Sequence, residues 1–353
     1  MASAWLLPGV LALLGLGAGG GAMAEIETAP RHEMLRFDEL DGWAGDDHAA
    51  ALAVFQTSCH RPPGPDWDGV CAVARRTEPA QARAFFEAFF RPVLTTAGPG
   101  GGTVFTAYYE PELAGSPRRT ARFDVPLYAV PPELPEGGAW LTRAEIEAGA
   151  LAGRNLEIAW VEDPVDLFFL QVQGSGRVRF PGGGGVRVGY GGKNGHEYRS
   201  VGLEMIRRGL VEEHRASAEV IRAFVRTNPD EGRALLRHNA SYVFFREVEV
   251  DPALGPLGAL NLSLVPHRSI AVDPGYHPLG APVWIEKDGA APIRRLAVAQ
   301  DTGSAIRGAQ RADIFWGTGA EAGLAAGRVR DGGRMVTLLP VRAAYALAPD
   351  TGL

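Results

Sequence analysis

Glycine and proline cut this chain into pieces too short for long helices. There are 46 Gly and 26 Pro among 353 residues. Beyond about residue 100 they fall between short apolar runs, a punctuation that favours turns and strands. FTAYY (105–109), FDVPLYAV (123–130), LEIAWV (156–161), LFFLQVQ (167–173) and SYVFFREVEV (241–250) are rich in aromatic and β-branched residues and read as strands. The last third repeats the pattern with SIAV (269–272), APVWIE (281–286), RLAVAQD (295–301), ADIFWG (312–317) and RMVTLLP (334–340). These segments do not alternate regularly with helices, as a doubly wound parallel sheet would require. The expected class is mainly β, a barrel with attached helices. Tracts such as PGGGG (181–185) read as loop tips.

Helical signals sit mostly at the front. Residues 47–90 read as helical, and Phe85, Phe86, Phe89 and Phe90 would place four rings on one face behind Pro79 at a first turn. Thr142 and Glu145 have the spacing of a capping box. Two more helices are expected around 201–210 and 217–227.

The first 24 residues form a separate unit. An apolar stretch from Trp5 to about Gly17 is followed by small residues ending Ala22-Met23-Ala24, the pattern of a signal peptide cleaved before Glu25. The alternative is a short membrane anchor. Export implies an oxidising compartment, where the two cysteines, Cys59 and Cys71, would pair. The net charge of -6 gives no reason to expect nucleic acid as a partner. No His or Cys pairs have ligand spacing, so neither a metal nor a cofactor is expected.

Several chemistries fail on spacing. GYGGKNG (189–195) carries Lys193 but lacks the P-loop arrangement, and QGSGR (173–177) is not a nucleophile elbow. What remains is Asp273, Asp301 and Asp313, each beside a short apolar strand and a Gly- or Pro-marked turn. An Asp in a turn usually just bonds nearby backbone. Pattern alone therefore leaves each of the three open.

These same residues carry a resemblance. LAVAQDTGSAIRGAQRADIFWGTGAEAGLAAG (296–327) is similar to the C-terminal signature of the lytic murein transglycosylase A family, and HRSIAVDPGYHPLGAPVWIE (267–286) resembles the preceding part of its three-Asp module. FTAYYEPELAGS (105–116), LQVQGSGRV (170–178), GYGGKNGHEYRSVG (189–202) and NASYVFFRE (239–247) resemble further family motifs in family order.

The resemblance implies a double-psi β-barrel domain with a second β-rich domain inserted into it and a groove between the two. On this chain the insertion would run over 111–250, with 25–110 and 251–353 forming the barrel domain. It also implies a peptidoglycan lytic exotransglycosylase. Such an enzyme cleaves the β-1,4 bond between N-acetylmuramic acid and N-acetylglucosamine and leaves a 1,6-anhydro end. By motif position Asp313 would be the acid, and Asp301 a second carboxylate that orients it and raises its proton affinity. Thr106, Tyr109, Gln173, Ser175, Lys193 and Asn194 would grip the glycan strand, Lys193 meeting its lactyl or peptide carboxylates. No Cys stands in the leader to carry a lipid anchor, so the expected location is the periplasm. Two other readings stay open at this point: a non-catalytic wall-binding barrel, and a hydrolase that uses water.

Overall fold

The computed structural model describes residues 29–97 and 102–348; the leader expected over 1–24 lies outside them. Along the chain, strand β1 (Arg31–Met34) precedes helices α1 (His48–Ser58), α2 (Pro65–Ala74) and α3 (Ala82–Phe89). Then come β2 (Phe90–Thr96), β3 (Val104–Glu110), β4 (Glu112–Ser116), β5 (Val125–Tyr128), the single turn α4 (Arg143–Glu145) and β6 (Glu157–Val161). Helix α5 (Pro164–Gln173), β7 (Gly176–Arg179), β8 (Gly185–Lys193), α6 (Val201–Arg207), α7 (Ala218–Thr227), α8 (Pro229–Leu236) and β9 (Val243–Glu247) follow. The last third holds β10 (Ser269–Val272), β11 (Pro282–Lys287), β12 (Ile293–Asp301), β13 (Arg311–Thr318), α9 (Ala320–Ala326), β14 (Arg330–Asp331), β15 (Gly333–Pro340) and α10 (Val341–Leu347).

Two sheets result. A nine-stranded sheet runs β1-β2-β15-β11-β12-β10-β13-β3-β14, and a six-stranded one runs β5-β6-β4-β7-β8-β9. The larger sheet thus draws its strands from both sides, in sequence, of those in the smaller. Six of its neighbours (β15, β11, β12, β10, β13 and β3) enclose one apolar core of Phe105, Ile270, Val272, Val283, Ile285, Ala297, Ala299, Ala312, Ile314 and Met335. Among the described residues no backbone ladder closes this curl into a complete barrel. Side chains bridge the seam instead. The Gln310 amide, just before β13, donates to Thr95 O of β2 and Met335 O of β15 at 2.8 and 2.9 Å, and accepts from Met335 N at 2.9 Å.

The strands read as continuously apolar because both faces are buried. Along β11, Val283 and Ile285 face the enclosed core while Trp284 faces α1–α3; Ala297 and Ala299 alternate in the same way with Leu296 and Val298 on β12. The helical layer contributes Phe55, Trp67, Phe85 and Phe86, packed around Phe90. Full burial of a ring such as Phe55 stabilises by about 2–3 kcal/mol. A disulfide joins Cys59, just past α1, to Cys71 in α2 with their Cα atoms 5.2 Å apart.

Two expectations need correction. LFFLQVQ is helix α5, not a strand: Asp163 caps it by accepting from Val165 N at 2.9 Å, and Pro164 fills the first turn. A run apolar on every side fits a buried helix as well as a buried strand, and Leu167, Phe168, Phe169, Leu170 and Gln171 are all buried. The four-ring face is also broken, because Phe90 opens β2 and Phe89 is 37% exposed. The capping box at Thr142 forms, but the helix gives way after one turn to a wider one over Ile146–Ala150.

The junction between the sheets rests on Glu110, fully buried at the end of β3. Its carboxylate accepts from Arg177 (2.9 Å), Arg187 (2.6 and 2.9 Å) and the Thr318 hydroxyl (2.8 Å). Both arginines also donate to Leu254 O, at 3.2 and 2.8 Å. The outgoing and returning segments between the sheets are thereby tied to one buried charge.

Candidate active site

Strand register assembles the site. On the large sheet Asp313 pairs with Thr106 of β3 on one side and Ala271 of β10 on the other, and Ala271 pairs with Asp301 of β12. Residues directly across a ladder share a face. Asp301, Ala271, Asp313 and Thr106 therefore form one row on the outer face of the curl. Helices α1–α3 cover the neighbouring part of that outer face but not this row. Here Tyr108, Leu264, Ala271, Ile306 and Phe315 make a small apolar patch. The two carboxylates are two strands apart, about 10 Å along the row.

Each carboxylate is differently engaged. Asp313 is half-buried and accepts one hydrogen bond, from Thr106 Oγ1 to its Oδ1 at 2.5 Å. Arg311 donates to the same Thr106 oxygen at 2.8 Å and to Val104 O and Ala312 O at 3.3 and 2.6 Å. Burial raises the Asp313 carboxyl to about 6; the Thr106 bond and the Arg311 charge oppose this, and the Asp301 charge adds to it. Asp301 is engaged at both oxygens. Its Oδ2 accepts from Tyr108 OH at 2.8 Å, and its Oδ1 from Ala259 N and Thr302 N, both at 2.9 Å. Burial pushes its carboxyl up while those donors hold it down. The bond to Ala259 pins the 256–264 loop over the row. Asp273 stands apart: it caps its own turn at Gly275 N (3.0 Å) and reaches Gly308 N (2.8 Å).

The other expected residues divide. Tyr109 sits at the junction, its N–H bonded to Gln173 Oε1 at 3.0 Å and its hydroxyl accepting from Arg222 at 3.2 Å. Ser175 is buried close by, and Lys193 is exposed at the end of β8. Asn194 has a structural job in place of the expected one. It is fully buried, donates both amide hydrogens to Leu141 O and Ala240 O, and accepts from Tyr242 N. Both amide hydrogens are spent and the oxygen is buried, so the side chain has no free group to offer a ligand at the surface. Tyr108 and Arg311 were missed by the sequence reading. Their signal was the strand period: 106 and 108 share a face, as do 311 and 313, whereas 109 faces the other way.

Known families and proteins match the chain over most of its length. The MltA specific insert domain matches residues 104–246, and the 3D domain matches 268–339. Membrane-bound lytic murein transglycosylase A of Vibrio cholerae is 35% identical over 267 residues, 71% of this chain and 70% of that protein. The chain belongs to the MltA family. Solved members superpose over most of its length. The Agrobacterium tumefaciens membrane-bound lytic murein transglycosylase has a TM-score of 0.79 at 35% identity, covering 90% of this chain and 99% of its own. MltA from Neisseria gonorrhoeae gives 0.76 at 34%, covering 88% and 93%. Escherichia coli MltA, solved with bound chitohexaose, gives 0.69 at 32%, covering 83% and 89%. Among the described residues of this family member, no helix is long and apolar enough to cross a membrane.

Proposed function

We propose that this chain is a peptidoglycan lytic transglycosylase, with Asp313 as its single acid and base. It cleaves the β-1,4 bond between N-acetylmuramic acid and N-acetylglucosamine and leaves a 1,6-anhydromuramic acid end. One observation carries the assignment: in an MltA family member, Asp313 alone among the described residues combines an uncommitted carboxyl oxygen with a proton affinity near neutral pH, about 6.

The local bonds favour one of its two oxygens. Arg311 donates to Thr106 Oγ1, so the only hydroxyl hydrogen of Thr106 points at Asp313 Oδ1. The acid proton then sits on Oδ2. As the glycosidic bond at C1 breaks, Oδ2–H passes to the leaving oxygen. The C6 hydroxyl of the same sugar closes onto C1 and returns its proton to Oδ2. The carboxyl is regenerated and no water is consumed. Most glycosidases need a second carboxylate as base or nucleophile. Asp301, spent on three donors, is poorly suited to either task and acts as an orienting charge and loop anchor.

In this reading 25–110 plus 251–353 form the catalytic domain and 111–250 an inserted domain, the strand lying in the groove between them near Tyr109, Gln173, Ser175 and Lys193. Residues 1–24 direct export to the periplasm, where the substrate is. Mass analysis of purified peptidoglycan after digestion tests the proposal. Muropeptides with 1,6-anhydro ends are expected. Reducing ends would make the protein a hydrolase, and retention on the wall without cleavage would make it a binding protein.

A further inference from the structure

The catalytic row continues one strand further. On edge strand β14, Arg330 pairs with Thr106, so it shares the outer face with Asp313, about 10 Å away across one intervening strand. Its side chain is exposed and has no hydrogen bond or ion pair among the described residues. The adjacent acid gives it none: Asp331 points to the other face and holds the buried Lys287 at 2.6 Å. Arg330 is also close enough to Arg311 for their like charges to interact. Arg311 in turn has no ion pair among the described residues, although its charge is felt by Asp313; its three hydrogen bonds go to two carbonyls and the Thr106 hydroxyl, leaving Nε–H and one Nη2–H uncommitted.

Two neighbouring guanidiniums thus stand without an ion pair among the described residues. Arg177, Arg187, Arg222 and Arg268, by contrast, are each ion-paired. While Asp313 is protonated, as it must be to act as the acid, it does not balance the Arg311 and Arg330 charges on this flank. A neutral sugar would leave that charge unanswered, whereas a carboxylate would complete it with charge-assisted, geometrically forked bonds.

We propose that Arg330, backed by Arg311, forms a carboxylate subsite at the edge of the catalytic row and selects strands that carry an anionic group next to the cleaved sugar. The inference rests on the transglycosylase reading. Two groups of the substrate have this chemistry: the lactyl carboxylate of a peptide-free muramic acid and the carboxylates of a stem peptide.

Binding, rather than turnover, separates the possibilities. The catalytically silent Asp313→Asn protein and its Arg330→Gln derivative are titrated with three ligands: peptide-bearing strands, peptide-free strands with lactyl carboxylates, and neutral chitohexaose. Arg330→Gln should weaken binding of at least one anionic ligand about tenfold, the scale of one charge-assisted bond, and flatten its salt dependence. Chitohexaose binding should not change, and Arg330→Lys should restore part of the loss. Loss on the peptide-free strands identifies the lactyl group; loss confined to peptide-bearing strands identifies the stem peptide. An equal loss for chitohexaose, or none for either anionic ligand, overturns the subsite while leaving the transglycosylase reading intact. Failure of all three ligands to bind would overturn both.

Discussion

Asp313→Asn should make the protein inactive and, above about pH 6, more stable. The carboxyl is held near 6 instead of its ordinary 3.8, chiefly by burial. At about 1.4 kcal/mol per pH unit, that displacement disfavours the ionised form in the fold by about 3 kcal/mol. Because the folded state binds the proton more tightly than the unfolded one, stability falls as pH rises from about 4 to about 6 and then levels off. Asn carries no titrating proton and is nearly the same shape, so it can still accept the Thr106 bond. Whatever constant offset the amide adds, the difference between the two proteins should grow by about 3 kcal/mol across that window, or a few degrees of melting temperature. Thermal melts of both proteins from pH 4 to 8 check this, alongside wall digestion, which should fall by about 10² or more. A stability difference that does not change with pH would refute the claim that burial raises Asp313. Digestion near wild type would refute its role as the acid.

Asp301→Asn removes a charge that raises Asp313 and presents an NH2 group to one of three donors; kcat/KM should fall and its basic limb move to lower pH, read from a pH–rate profile. An unchanged limb would mean that the two carboxylates do not communicate. Cys59→Ala with Cys71→Ala opens a loop whose ends are 12 residues apart and should cost about 2–3 kcal/mol, seen as a lower melting temperature with activity per folded molecule retained. Glu110→Ala strands two arginines at the sheet junction and should destabilise by about 3–5 kcal/mol in chemical denaturation; a variant as stable as the parent would show that the junction does not depend on this charge.

The strands of the last third were legible because their two-sided burial leaves unbroken apolar runs between turn residues, as in SIAV and APVWIE. The same signal misled at LFFLQVQ, where length and composition suit either element and only the cap at Asp163 decides. Asp313 and Thr106 were legible as motif residues; Tyr108 was not, because adjacent tyrosines look alike until the strand period assigns them to opposite faces. Asn194 has the chemistry of a ligand group, and nothing in its composition reveals that three backbone groups consume it.

What no local pattern could supply is the row itself. Its members come from positions 106, 271, 301 and 313, and in a strand a slip of one residue turns a side chain to the opposite face. The β10–β12 ladder pairs Ile270 with Ala299 and then skips a residue, so that Ala271 meets Asp301 and not Gln300. The skipped Gln300 is buried against α1, where it accepts from Ser269 Oγ at 2.6 Å and donates to Thr57 and Ser58 at 3.0 and 3.3 Å. Bulges of this kind re-aim a side chain without ending the strand. The irregularity therefore does two things at once: it sends an amide into the helical layer, where partners wait for it, and it sends the next residue, a carboxylate, to the open face beside Asp313. A regular ladder would have put Gln300 in the row and paired Asp301 with Val272, turning the carboxylate toward the enclosed core and away from the 256–264 loop. The placement of Asp301 in the row with Asp313 is thus a product of register, and register depends on packing between segments distant in sequence.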